Sequence, residues 1–63
     1  MILSIEEAIL KGFRNAGPEY ESHDIKDAYS MGWRMLSEFK CSRFCIIECK
    51  FRGSQTIYKI YIK

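Results

Sequence analysis

The sequence has one proline, one histidine, an odd cysteine count of three, and no apolar run near the length of a membrane span. Each scarcity excludes something. With a single proline and no low-complexity stretch or repeat, no linker is visible, and residues 1–63 read as one small domain. No segment approaches the roughly 20 apolar residues that cross a bilayer. The opening "MILSIEEAIL" lacks a basic leader, and Glu6 and Glu7 interrupt its apolar part, so no secretory signal is expected. The expectation is a soluble, cytoplasmic chain with no membrane partner. Three cysteines cannot pair completely, which points to free thiols rather than an oxidised framework. No G-x-S-x-G, phosphate-binding glycine loop or paired-carboxylate motif accompanies the lone His23. No catalytic residue and no cofactor is expected, and the chain reads as a non-enzyme.

What is present is the composition of a folded protein: 48% apolar residues and 14% aromatic. Disordered chains lack that content. At 63 residues the buried fraction is small, so oligomerisation or a partner would help. Charge is uneven. Up to position 39 there are four basic residues (Lys11, Arg14, Lys26, Arg34) against seven acidic ones; beyond it six basic residues face Glu48 alone. Such a basic tail suits an acidic partner or nucleic acid, or else complements the acidic half of the same domain.

Residues 4–16 read as a helix. Ser4 and Glu7 fit a capping box, and Ile5, Ala8, Ile9, Gly12, Phe13 and Ala16 share one face. Glu7 and Lys11 form an i,i+4 pair, and Gly17-Pro18 stops the helix. Ser22 opens a second helix with the stripe Ile25, Ala28, Tyr29, Gly32, Met35, Leu36 and Phe39. It runs on to about Lys40, or breaks at Ser30–Gly32. Because Gly32 lies on the stripe, the continuous form is preferred, with Gly12 and Gly32 letting the helices approach closely.

The tail "FCIIECKFRGSQTIYKIYIK" reads as a β-hairpin. A two-residue type II′ turn at Gly53-Ser54 sets Cys49 opposite Tyr58, Ile47 opposite Ile60 and Cys45 opposite Ile62. Glu48 then meets Lys59 on the other face. The expected architecture is α+β: two N-terminal helices packed on one face of a C-terminal antiparallel hairpin, in the order ααββ. The second face, with Phe44, Ile46, Ile57 and Tyr61, is too apolar for water alone. A second copy, a partner, or a strand from "MIL" is expected to cover it or an edge.

Cys41, Cys45 and Cys49 recur every fourth residue. Along a strand, Cys45 and Cys49 stand about 13 Å apart, too far to share a metal ion, so they read as packing residues and no metal is expected. Trp33 borders the second stripe, as a binding anchor or as a cover over the open end of the core.

Helices followed by a hairpin with the basic turn "KFRGSQTIYK" resemble in layout a reduced winged-helix domain, given the break at Ser30–Gly32. That resemblance implies a helix in the major groove and a wing on the phosphate backbone. Two functions follow. The first is a small protein-binding module (inhibitor, adaptor or regulatory subunit, of the kind phages and mobile elements encode). It would act through Trp33, Phe44, Ile46, Ile57 and Tyr61, and could form a homodimer through the hairpin. The second is nucleic-acid binding through Arg43, Lys50, Arg52, Lys59 and Lys63, with a steep salt dependence.

Overall fold

The computed structural model describes all residues, Met1–Lys63. It places β1 at Ile2–Leu3, α1 at Ile5–Leu10, β2 at Arg14–Asn15, β3 at Glu21–Ser22, α2 at Ile25–Ser37, β4 at Phe44–Lys50 and β5 at Thr56–Ile62. The fold is α+β with two helices and a five-stranded sheet, larger than a hairpin. β4 and β5 pair antiparallel at its centre; β1 pairs with β4 in parallel, and β2 and β3 both pair with β5. The strand from "MIL" is therefore one of the covers: Ile2 sits beside Ile46 and Leu3 beside Ile47.

β2 and β3 are one edge strand interrupted by a large bulge. The Ala16 N–H donates to the Ile60 carbonyl at 2.9 Å, and the Ile60 N–H donates to the Tyr20 carbonyl at 3.3 Å, so residues 16–20 oppose Ile60 alone. Gly17, at φ 133°, turns the chain there, its N–H held by Asn15 Oδ1 at 2.8 Å. Gly17-Pro18 thus shapes an edge bulge rather than a helix end. Bulges of this kind protect a sheet edge from further pairing.

The hairpin register differs by one residue from the expectation. Gly53 and Ser54 both take positive φ, 80° and 63°, and the Phe51 N–H donates to the Gln55 carbonyl at 2.8 Å. The loop is therefore one residue longer than a two-residue turn. Cys49 faces Ile57, Ile47 faces Lys59, Ile46 faces Ile60 and Cys45 faces Tyr61. A one-residue slip moves every β5 side chain to the other face. Both faces become apolar, and each needs its own cover.

The helices supply one cover each. Ala8 of α1 and the following Phe13 pack on Cys45, Ile47 and Tyr61, while Ala28 and Met35 of α2 pack on Ile46, Ile60 and Ile62. The expectation that both helices share one face of the hairpin is thereby corrected to a sheet between two helices. The winged-helix layout does not form either, because α2 runs unbroken through Ser30–Gly32. Gly32 does permit a close approach, but to the sheet: a Cβ there would lie 2.3 Å from two ring carbons of Phe44.

Helix ends follow local chemistry. Ser4 Oγ accepts the Glu7 N–H at 3.2 Å, as the capping box requires. Asp24, not Ser22, caps α2, accepting the Lys26 N–H at 3.0 Å. α1 stops well short of Ala16. Gly12 (φ 87°) follows the C-cap Lys11, and the Phe13 N–H reaches back to the Ala8 carbonyl at 2.9 Å. This is a Schellman motif, and its hydrophobic contact is the Ala8–Phe13 packing itself. α2 ends the same way with Phe39 where glycine is favoured. Phe39 has φ 60°, and the Lys40 N–H donates to the Met35 carbonyl at 2.9 Å. A side chain in this conformation costs about 1–2 kcal/mol, and Phe39 is 92% exposed, so little packing offsets it. Phe39→Gly should therefore stabilise the fold by about 0.5–1 kcal/mol, after allowing for the entropy of an extra glycine. Thermal unfolding should show a Tm about 2–8 °C higher; an unchanged or lower Tm would mean the phenyl ring packs in solution.

Candidate functional site

Tyr29, Trp33 and Leu36 lie at i, i+4 and i+7 along α2, beside the buried row of Ala28, Gly32 and Met35. This second row lies beside the edge of the sheet where β1 begins, with the Met1 ammonium donating to Tyr29 Oη at 3.2 Å. Phe44, the first residue of β4, turns its ring into the space left by Gly32. The ring stands edge-on to Tyr29 (centroids 6.2 Å apart, 76°) and to Trp33 (5.4 Å, 77°). These residues, with Met1, Leu36 and Arg43, line an open groove of about 450 Å³. Five of its six lining residues are apolar, and Arg43 is the one with a charged side chain; the Met1 ammonium, on Tyr29 Oη, is the other charge at the groove. Trp33 is 62% exposed, a large ring left largely in water although a groove lies beside it.

Of the residues expected to form a protein-binding face, only Trp33 and Phe44 come together. Ile46 is fully buried beneath α2, and Tyr61, 8% exposed, lies beneath α1. Ile57 is half-buried near the turn, opposite Cys49. The hairpin has no free outer face, because the register shift and the two helices consume it. Phe51 and Leu10 are exposed but were not singled out from sequence, whereas Ile9 and Phe39, read as members of the apolar stripes, are exposed rather than buried because each helix meets the sheet along a narrower row. Tyr29 and Leu36 were read as core; their three- and four-residue spacing to Trp33 was the available signal.

The basic residues of the tail divide between two ends of the sheet. Lys50 and Arg52 sit at the turn; Arg43 and Lys63 sit at the opposite end, about 20 Å away along seven-residue strands. Lys59 lies between them and pairs with Glu21 of β3 at 4.0 Å, not with Glu48. Glu48 instead holds Lys50 at 3.5 Å, and both are too exposed to contribute much stability. The hairpin therefore offers no single basic track.

The cysteines do not converge with acids or His23 on any metal-binding cluster. Cys45 and Cys49 share the α1 face with Ile47, as alternation requires, and Cys41 packs on the α2 side. Burial pushes the Cys45 thiol up from its ordinary range, which keeps it protonated and unreactive. His23 places Nδ1 3.2 Å from the Thr56 carbonyl oxygen, tying the start of α2 to β5. Glu38, hydrogen-bonded to Lys40 at 3.1 Å, raises that amine above its usual range. None of these groups borders the groove. Comparison with family models, curated proteins and solved structures found no match to this chain.

Proposed function

We propose that the chain is a small, non-catalytic protein-binding module that receives one apolar side chain of a partner in the groove between α2 and the start of β4. The observation that carries this reading is the 62% exposure of Trp33 at the rim of an apolar groove, with Phe44 and Tyr29 fixing its floor edge-on. Exposed tryptophan beside a preformed apolar recess is the anatomy of an interface hot spot. The groove holds one or two side chains and has no convergent acid, base or nucleophile, so recognition rather than turnover suits it. Inhibitors, adaptors and regulatory subunits work this way.

Selection of random displayed peptides on the immobilised protein tests the reading. Enriched peptides should share one aromatic or long aliphatic anchor. Trp33→Glu, an exposed position whose change leaves the core intact, should weaken them tenfold or more while circular dichroism stays native. Equal binding by the folded variant would move the site elsewhere.

A further inference from the structure

β4 is seven residues long, but β1 pairs with only Ile46 and Ile47 along its outer edge. Main-chain groups along an antiparallel strand point alternately to one neighbour and to the other. Arg43, just before β4, exchanges both of its bonds with Lys63: the Lys63 N–H donates to the Arg43 carbonyl at 3.0 Å, and the Arg43 N–H donates back at 3.2 Å. Cys45, Ile47 and Cys49 therefore turn their N–H and carbonyl groups toward β5, and Phe44, Ile46, Glu48 and Lys50 turn theirs toward the β1 edge. The Ile46 N–H is met there by the Met1 carbonyl at 2.9 Å. Phe44, two residues back along the same edge, has no such partner; the Met1 amine beside it donates to Tyr29 Oη instead. Unpaired edge groups of this kind template a further strand. At the other open end of the edge, Lys50 guards the position with a charged and mostly exposed side chain. At Phe44 the edge opens onto the apolar groove that this residue also lines.

We infer that the partner segment is an extended strand, one residue of which exchanges both main-chain hydrogen bonds with Phe44 and places its apolar side chain in the Trp33 groove. The inference rests on the protein-binding reading of that groove. An antiparallel partner needs only this one residue, because opposed residues of a hydrogen-bonded pair satisfy each other's N–H and carbonyl. Their side chains stand on the same face of the sheet, with Cα atoms about 5.5 Å apart. The Phe44 ring lies on the α2 face against Tyr29 and Trp33, so the anchor enters the groove beside it. A helical partner keeps its main-chain bonds within itself and leaves Phe44 unpaired. Added strands draw affinity from the main chain and selectivity from the pocket that takes the side chain.

The probe is an anchor peptide recovered in the display selection, labelled with fluorescein, remade with one amide N-methylated at a time and compared by anisotropy. Methylating the anchor residue should weaken binding about 5- to 30-fold, because the Phe44 carbonyl then loses its donor. Methylating either neighbour should change binding by less than about twofold, because those N–H groups point away from the edge. Amide hydrogen exchange gives a second readout. In the free protein the Phe44 N–H should exchange about tenfold or more faster than those of Cys45 and Ile46, and binding should slow it by about as much. Equal protection of all three in the free protein would mean that the edge is closed, and would overturn the inference. Equal binding by every methylated peptide, each lost in Trp33→Glu, would retain the groove and reject the strand. Losses at several consecutive amides would place a helix in the groove and also reject the strand. Recovery of no displayed peptide would remove both readings. Protection of Phe44 that rises with protein concentration, without peptide, would replace the foreign segment with a second copy of this chain.

Discussion

Ile46→Lys is expected to leave the chain unfolded at 25 °C, with no native dispersion in its amide spectrum. Ile46 is fully buried, pairs with Ile60 across the central strands and with Ile2 across β1, and packs under Ala28 and Met35. The substitution removes a side chain whose loss alone costs about 2–5 kcal/mol. It then asks an ammonium to enter the same space with no acid beside it. A domain of this size has only about 3–5 kcal/mol of net stability from its core. On the expectation of an open hairpin face, the same variant would fold normally and lose only its partner. Ile57→Lys, at the half-buried end of the other face, should stay folded and lower Tm by a smaller amount. A folded Ile46→Lys protein would mean that α2 does not cover the sheet.

Gly32→Ala should also destabilise, against helix propensity. Alanine is better than glycine inside a helix by about 1 kcal/mol. Here the added methyl would meet two Phe44 ring carbons at 2.3 Å. The ring has little room to retreat, since Tyr29 and Trp33 flank it. Overpacking of a settled contact costs about 1–3 kcal/mol, and a clash this short belongs at or above the upper end. The net loss should be about 2 kcal/mol, lowering Tm by about 10 °C. The cause is separable by a double-mutant cycle: in a Phe44→Leu background the same alanine should be close to neutral or stabilising. An equal loss in both backgrounds would place the strain elsewhere in α2. Because Phe44 forms the groove floor, Gly32→Ala should weaken anchor peptides too, even where enough protein remains folded to measure them.

These two residues also show how far the fold was legible. The stripe through Ala28, Gly32 and Met35 identified α2 and its buried face, and marked Gly32 as a point of close approach. It did not reveal that the approaching body was a strand. The capping box at Ser4 and the hairpin itself were legible because their signals are local. The register was not. "FCII" and "IYKIYI" are apolar on both faces, so a two-residue turn and a three-residue loop each align hydrophobic partners, and it is the Phe51–Gln55 hydrogen bond, closing a loop over Arg52–Ser54, that distinguishes them. That one-residue difference decides whether one face or two must be covered, and hence where the helices go. The end of α1 was misplaced for a related reason: Gly12 was read as a small residue on an apolar stripe, whereas its φ of 87° makes it the helix stop.

The site was half legible. Trp33 and Phe44 were singled out as apolar residues without an obvious core role, and they are in contact. Ile46 and Tyr61 were assigned beside them through the slipped register and are buried instead.

Trp33 is the only tryptophan, which makes its emission a direct report on the groove. The most direct measurement is tryptophan fluorescence during titration with an anchor peptide selected on the immobilised protein. The free protein should emit as a solvated indole. Binding should then shift the emission to shorter wavelength and protect it from acrylamide quenching, saturating with the same Kd as peptide anisotropy. Saturable binding by anisotropy with Trp33 emission and quenching unchanged would contradict the assignment of this groove as the contact surface.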